Sequence, residues 1–275
     1  MNRTADQKKK IHVPARHHNK GGSRRAARRR LEVWLSIVSP VVMLAVWELI
    51  GLFHLMDLRY FPRPSTIAVS LWNMILGDLW LDFKASIFRI FCGFVLGSIP
   101  ALVLGIAMGL SRPLRFAINP IVYSTYPIPK IAILPLVILV FGLGELSSIV
   151  VVAIGAFYLV LINTVGGVVG IDNIYFDVAK NFCVRRRDLY LRVILPAALP
   201  AMMTGLKLAL GVSLLLIVAA EMLGSNRGIG HLIWESWQTF TVPRMYVGLI
   251  IISALGYLLS VIADQIERTF LPWRD

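Results

Sequence analysis

The chain has 275 residues, 57% hydrophobic and 16% charged, with a mean hydropathy of +0.73. Soluble domains carry about a quarter charged residues, so these proportions, with the apolar residues gathered in long blocks, exclude an ordinary water-soluble domain and predict an all-α polytopic membrane protein with about six transmembrane helices. Net charge is +13, and the two cysteines, one in an apolar block and one in a polar loop, exclude a disulfide framework and a Cys-based metal site.

Residues 1–33 form a basic arm. It holds eleven Lys/Arg against Asp6 and Glu32 and so carries +9 of the total charge. It cannot bury enough apolar surface to order itself, and is expected to be disordered. It is too long and too charged before the first apolar run for a signal peptide, and no cleavage site follows that run. Three uses are open to it: an idle positive-inside anchor, a contact for anionic lipid, or nucleic-acid binding, which its lack of interleaved aromatics argues against. His12, His17 and His18 in such an arm do not amount to a metal site, and no cofactor is expected.

Residues 34–275 form the membrane domain. The first span is Trp34 to Phe53. A turn at 60–64 follows, with Ser65 expected to cap a helix whose Ile67, Leu71, Met74, Ile75 and Leu79 recur at helical spacing, a helix lying on the membrane surface. The second span runs about Ile87 to Leu110. In it Gly93, Gly97, Ala101, Gly105 and Gly109 fall four apart on one face, which predicts a close-packed helix seam. The third segment, Phe116 to Gly144, is interrupted by Pro120, Pro127, Pro129 and Pro135 around Lys130. Irregular backbone at membrane depth persists only against protein or a water-filled cavity, so this segment is the candidate pore lining. The fourth span is about Ser148 to Val169, and the fifth runs from near Leu199 to Leu223. A short loop with Gly224, Gly228 and Gly230 leads to the sixth, about Met245 to Ala263.

Lys/Arg asymmetry fixes the expected orientation. The arm, Arg112, Arg115, Lys180, Arg185, Arg186, Arg187, Arg192, Arg268 and Arg274 gather on one side, which places both termini and the segment 172–196 in the cytoplasm. Charged residues within spans face cavities or partners, because an ion at mid-bilayer costs about 2.5–3.5 kcal/mol. The substrate path is assigned on this ground to Lys130, Arg89 and Glu221. Each also has a structural reading. Lys130 would hold a broken helix by its carbonyls, Arg89 would pair with Glu145 or Glu221, and Glu221 would serve as an interfacial cap or ion pair instead of an outer-gate group. Lys207 is expected to snorkel.

The segment 172–196 reads as two short helices, Tyr175 to Phe182 and Asp188 to Ile194, meeting at a bend, with Pro196 and Pro200 ending the second and opening the next span. Its apolar residues have no reason to face water unless a partner covers them. Asp177-Val178-Ala179, three residues, Cys183, nine residues and Val193-Ile194-Leu195-Pro196 resemble the EAA motif of permease subunits of bacterial ABC importers, E-A-A, three residues, G, nine residues, I-x-L-P. Asp stands for Glu, Val for the first Ala, and Cys183 for the Gly. If that Gly serves a left-handed turn, Cys183 is strained there. Tyr126-Pro127-Ile128-Pro129-Lys130, Phe141-Gly142-Leu143-Gly144-Glu145, Pro196-Ala197-Ala198-Leu199-Pro200 and Ala220-Glu221-Met222-Leu223-Gly224 extend the resemblance, over about residues 34 to 270, to the nitrate, sulfonate, taurine and bicarbonate branch.

The resemblance implies the type I ABC importer permease fold and a bacterial inner-membrane location. It implies that Asp177, Val178, Ala179, Phe182, Cys183, Val193, Leu195 and Pro196 couple to an ATPase subunit dimer. A binding protein would deliver a small solute, anionic and sulfonate-, nitrate- or taurine-like, and a second permease subunit, expected as a homodimer, would complete the path. The sequence contains no Gly-x-x-x-x-Gly-Lys-Ser/Thr phosphate loop, so hydrolysis would belong to a separate subunit and this chain would not be an enzyme. The competing reading is a self-sufficient channel or secondary transporter for a small anion. Such a protein needs no coupling knob, and the inverted repeats of many secondary transporters are not evident.

Overall fold

The computed structural model describes residues 21–272 and divides after Met56 into two units. Among the described residues every regular element is helical. Among its described residues the first unit has one helix, α1 (Gly21–Leu52). Its apolar stretch Trp34–Leu52 is long enough to cross a bilayer, and within its unit Trp34, Met43 and their neighbours are exposed. The helix starts at Gly21, inside the basic arm. Ala, Arg, Leu and Glu are good helix formers, and a helix already nucleated by the span extends through them without a new nucleation cost. Residues 1–20, with all four of the basic arm's lysines and its histidines, lie outside the described residues.

In the second unit α2 (Pro64–Ile75) is followed by α3 (Leu79–Leu110). Arg63 occupies the N-cap of α2 with no capping side chain, and Pro64 opens the helix. Ser65 therefore does not cap it. Proline at the first helical position needs no N–H and presets φ, and so performs the starting role expected of the serine. Ile67 is buried and α2 rests against the last helix of the chain.

The remaining helices follow in chain order. α4 (Arg112–Thr125) leads to a tight 3₁₀ turn at Lys130–Ile133 and to α5 (Leu134–Phe141), bent from α4 by 86°. α6 (Glu145–Val169) begins after Gly142 (φ +79°) and Gly144 (φ +132°), a reversal that residues with a Cβ rarely make. α7 (Asn173–Asn181) is short. A helical turn, α8 (Arg186–Asp188), continues through a wide turn at Leu189–Ile194 into α9 (Leu195–Gly224). The prolines do not separate two helices there, as the sequence had suggested. Pro196 falls in the first turn of α9, and the preceding turn widens so that the Leu195 N–H reaches the Tyr190 carbonyl five residues back. A proline ring clashes with the carbonyl four residues earlier and offers it no donor. One wide turn accommodates this without ending the helix.

α10 (Ile229–Gln238) and α11 (Val242–Phe270) complete the chain. α10 lies where the sequence suggested only a loop. It buries Ile229, Leu232, Ile233 and Ser236, a spacing of three, four and seven residues that marks one helical face.

α3, α6 and α9 form the packed centre. The glycine strip of α3 is the seam against α6. A Cβ added at Gly93 would meet the Val152 side chain at 2.7 Å, at Gly105 that of Thr164 at 2.7 Å, and at Gly109 that of Val168 at 2.4 Å. At Gly97 it would lie 2.2 Å from the Ala153 carbonyl oxygen. Side chains can turn aside, but that carbonyl is fixed in the α6 hydrogen-bond ladder. Gly97→Ala is therefore expected to lower stability by about 1–3 kcal/mol through overpacking. Gly166→Ala, where a Cβ meets nothing within 4 Å, is expected to leave it unchanged. Thermal unfolding of the two variants in detergent checks the contrast.

Candidate functional site

The elbow between α6 and α9 is positioned by a small apolar core. Val168, Ile171, Ile194, Ala198 and Met202 are buried together, and Phe176 and Leu189 pack on them from the elbow. Asp172 caps α7 by accepting the Ile174 N–H at 3.0 Å. At the other end the Val184 N–H reaches the Ala179 carbonyl at 2.9 Å and the Cys183 N–H reaches Lys180 at 3.1 Å. This paired closure of a helix C-terminus puts its pivotal residue in the left-handed region and normally uses glycine. Here the pivot is Cys183, at φ +51°. The bend thus needs the positive φ that the motif glycine supplies, and Cys183 adopts it at a cost of about 1–2 kcal/mol. Cys183→Gly is expected to raise the protection of the α7 amides in hydrogen exchange several-fold. Cys183→Ala, which keeps the strain, is expected to leave it unchanged.

The structure divides the eight residues assigned to coupling. Asp177, Val178, Phe182 and Cys183 are exposed around the α7 end, Phe182 at 79%. Ala179 is buried. Its small side chain lets α7 sit close on the elbow's own core. Val193 and Pro196 join Tyr175 and Asp172 around a groove of about 550 Å³ beside α7. Leu195 turns to another face, an apolar groove of about 370 Å³ shared with Leu191 and with Val103 and Ala107 of α3.

The charged residues in the spans form two clusters. In the first, Arg89 donates to Glu221 at 2.9 Å, to Glu145 at 3.1 Å and to the Arg227 carbonyl at 2.7 Å. Glu221 also accepts the Ser86 hydroxyl at 2.8 Å and the Gly230 N–H at 2.9 Å. Asp82 and Ser86 accept the Gly228 and Ile229 N–H groups, each at 2.9 Å. Side chains from α3 and α9 thus take up the first three free donors of α10, where the helix dipole favours negative charge. Arg89 and Glu221 are buried and paired within the chain. This is the structural reading of both, an ion pair held inside the chain. In the second cluster Lys207 of α9 pairs with Asp264 and Glu267 of α11. It does not snorkel. Two carboxylates one helical turn apart offer it partners without any reach to the membrane surface.

Lys130 spans the break between α4 and α5. Its Nζ donates to the Thr125 and Tyr126 carbonyls at 3.0 and 3.1 Å and lies 4.1 Å from the Tyr158 ring centroid. Pro127 and Pro129 offer no N–H at the break; the Ile128 N–H reaches the Thr125 carbonyl at 3.3 Å, and the Lys130 ammonium bonds that carbonyl and the next one together. The Tyr158 hydroxyl donates to Thr125 Oγ1 at 2.9 Å and ties α6 to the same point. Lys130, Thr125, Tyr158 and Gly97 border a groove of about 450 Å³. Sequence reasoning missed Asp82, Ser86 and Thr125. Asp82, Ser86 and Arg89 recur at four and three residues along α3, a polar stripe that could have been read.

A helical membrane bundle with a broken third span and a projecting elbow is the permease architecture of type I importers. The inward-facing structure of the MetNI methionine ABC transporter has this fold. It matches 72% of this chain and 96% of its own at a TM-score of 0.59 and 20% identity. The family described as binding-protein-dependent transport system inner membrane component matches residues 93–272, and the chain belongs to it. A putative aliphatic sulfonates transport permease protein of Bacillus subtilis is 34% identical, with 92% of each chain covered. The taurine transport system permease protein of Escherichia coli is 29% identical over 88% of this chain and 90% of its own. The nitrate import permease protein of Leptolyngbya laminosa is 31% identical over 84% and 85%. The protein is thus a multi-pass inner-membrane permease subunit of an ABC importer, a transport component whose ATPase and substrate-binding protein are separate chains. That class excludes a self-sufficient channel or secondary transporter.

Proposed function

We propose that this permease carries a small oxyanion of the sulfonate, taurine or nitrate kind, with two copies of the chain lining one path. The relatives' names support the substrate class. The observation that carries the path is the groove beside Lys130, where a fixed cation stands at the break of the third span. Lys130 is held by carbonyls, and its charge still gives the groove a positive potential that favours an anion. The elbow faces the cytoplasm with both termini, on the positive-inside asymmetry, and docks on the ATPase subunit through Asp177, Val178, Phe182 and Cys183, while the basic residues near α1 meet anionic lipid headgroups. Val193 in the wide turn, and Leu195 and Pro196 at the start of α9, support this surface.

The test is uptake by the reconstituted complex from a panel of alkanesulfonates, taurine, nitrate and a neutral heterocycle. Preference for the anions is expected. Lys130→Gln is expected to lower anion uptake about tenfold, equivalent to about 1.4 kcal/mol, with a smaller change in thermal stability. Equal uptake of the neutral solute, or uptake by Lys130→Gln equal to the parent, would remove the anion path.

A further inference from the structure

The elbow carries a charge pattern that the coupling motif does not contain. Five cations lie between Lys180 and Arg192. Arg192 pairs with Asp188 at 3.4 Å. Lys180, Arg185, Arg186 and Arg187 are exposed and, among the described residues, have no ion-pair or side-chain hydrogen-bond partner. Their placement is unfavourable within the chain itself. Arg185 is the N-cap of the helical run that continues from Arg186 to Gly224, it makes no side-chain capping bond, and Arg186 and Arg187 occupy the first turn. A helix N-terminus is the positive end of the dipole and favours anions. Three cations there oppose that preference and one another.

A second observation gives the surface its chemistry. Phe182, Val178 and Ile174 are exposed on the adjoining α7 segment, at 79%, 49% and 60%. Four free cations therefore stand along the chain on either side of an apolar tip. A solvated loop meeting only the positive-inside preference needs no exposed phenylalanine. A bilayer headgroup layer would accept the arginines, but the closed turn at Cys183 leaves the Phe182 ring exposed beside them. An exposed apolar tip with a basic surround fits a protein cleft that is apolar at its centre and acidic at its edge.

We propose that Lys180, Arg185, Arg186 and Arg187 recognise carboxylates at the rim of the ATPase subunit's docking cleft, and that this charge match determines which ATPase the permease accepts. The proposal rests on the docking of the elbow proposed above and adds to it a partner chemistry and a specificity determinant. Rim charges act mainly on association rate and salt dependence. Assembly is therefore steered by field as well as by fit.

The experiment measures binding of the purified ATPase subunit to the full-length permease in nanodiscs of zwitterionic lipid, across salt from about 50 to about 500 mM. The parent is expected to lose affinity about tenfold or more over that range, as the solvent-exposed rim charges are screened. The triple variant Arg185→Gln, Arg186→Gln, Arg187→Gln is expected to bind about tenfold more weakly at low salt, with a flat salt dependence. Reversal of charge in Arg185→Glu and Arg186→Glu is expected to be rescued by Lys replacing acidic residues at the ATPase cleft edge. Phe182→Asp serves as the control for docking itself. If the arginine variants bind as the parent while Phe182→Asp does not bind, the elbow docks but its charges play no part, and the proposal fails alone. If Phe182→Asp also binds normally, the docking reading fails. If salt and the arginines matter only in nanodiscs containing anionic lipid, the cations serve the membrane and the proposal is overturned.

Discussion

Glu221→Gln is expected to cost about 3–5 kcal/mol, the cost of breaking a buried ion pair by removing one partner. The substitution keeps the shape of the side chain and changes its chemistry at every contact. Glu221 accepts from Arg89, Ser86 and Gly230 at once. Glutamine has one oxygen for these donors, and its own NH2 meets Arg89 or the helix N–H donor against donor. Arg89 then keeps Glu145 and a carbonyl. Glu145 is 57% exposed, too well solvated to neutralise a buried guanidinium. The N-terminus of α10 loses one of its three caps in the same step. Two readouts are expected to move together: the thermal midpoint falls, and the amides of α10 exchange faster than those of α6. Glu145→Gln is the comparison. It removes the exposed arm of the same arginine and is expected to cost about 1 kcal/mol or less. A Glu221→Gln protein with the parent's midpoint and an unchanged α10 would show that the cluster does not hold the helix in place. The double variant Arg89→Met, Glu221→Leu is expected to recover part of the loss, since removing both charges also removes their desolvation penalty. Recovery stays partial because Gly230 and Ser86 are left without an acceptor.

The same cluster shows what the sequence could and could not reveal. Arg89 and Glu221 stood out because a charge in an apolar run is rare, and pairing was a visible option for both. Their partner count was not visible. It depends on α10, and α10 was hidden by its glycines. Gly228 and Gly230 read as loop residues, yet here they bring the backbone against Glu221. A Cβ at Gly228 would lie 2.4 Å from its carboxyl carbon. The glycine strip of α3 was legible for the opposite reason. Five small residues on one face have one common use in a bilayer, and the seam against α6 is that use. The proline-broken third span was also legible, since a missing N–H is a property of the sequence itself. What answered it was not, because Lys130 reaches back to carbonyls four and five residues earlier only once the chain has turned by 86°. Pro196 misled. In isolation proline ends a helix, but the turn before it widened instead, which only packing of Ile194 into the elbow's core could decide. The strain at Cys183 was foreseen as one of two outcomes. The spacing fixed which residue takes the motif glycine's place, and the backbone decided the sign of φ.

Phe182→Asp is expected to abolish the stimulation of ATP hydrolysis by substrate-loaded binding protein, while insertion, yield and thermal midpoint stay at parent levels. The separation of the two effects follows from burial. Phe182 is 79% exposed in the chain, so the fold loses almost no buried surface when its ring is removed. In an apolar cleft of the ATPase subunit the ring contributes about 1.5–3 kcal/mol by burial. An aspartate in its place forfeits that and adds the desolvation of a carboxylate, which costs several kcal/mol more when unpaired. The sum exceeds about 3 kcal/mol, a loss of more than about a hundredfold in the docking equilibrium at 1.4 kcal/mol per tenfold. An acidic cleft edge would repel the new charge and deepen the loss. Val178→Asp, at 49% exposure on the same short helix, is expected to act in the same direction and less strongly. Phe176→Asp is expected to fail differently. Its ring packs on the core under the elbow, so the variant loses yield and midpoint as well as coupling. The three variants therefore separate a docking surface from its support. Full stimulation in Phe182→Asp at a normal assembly ratio would mean that motion reaches the membrane helices by some other contact.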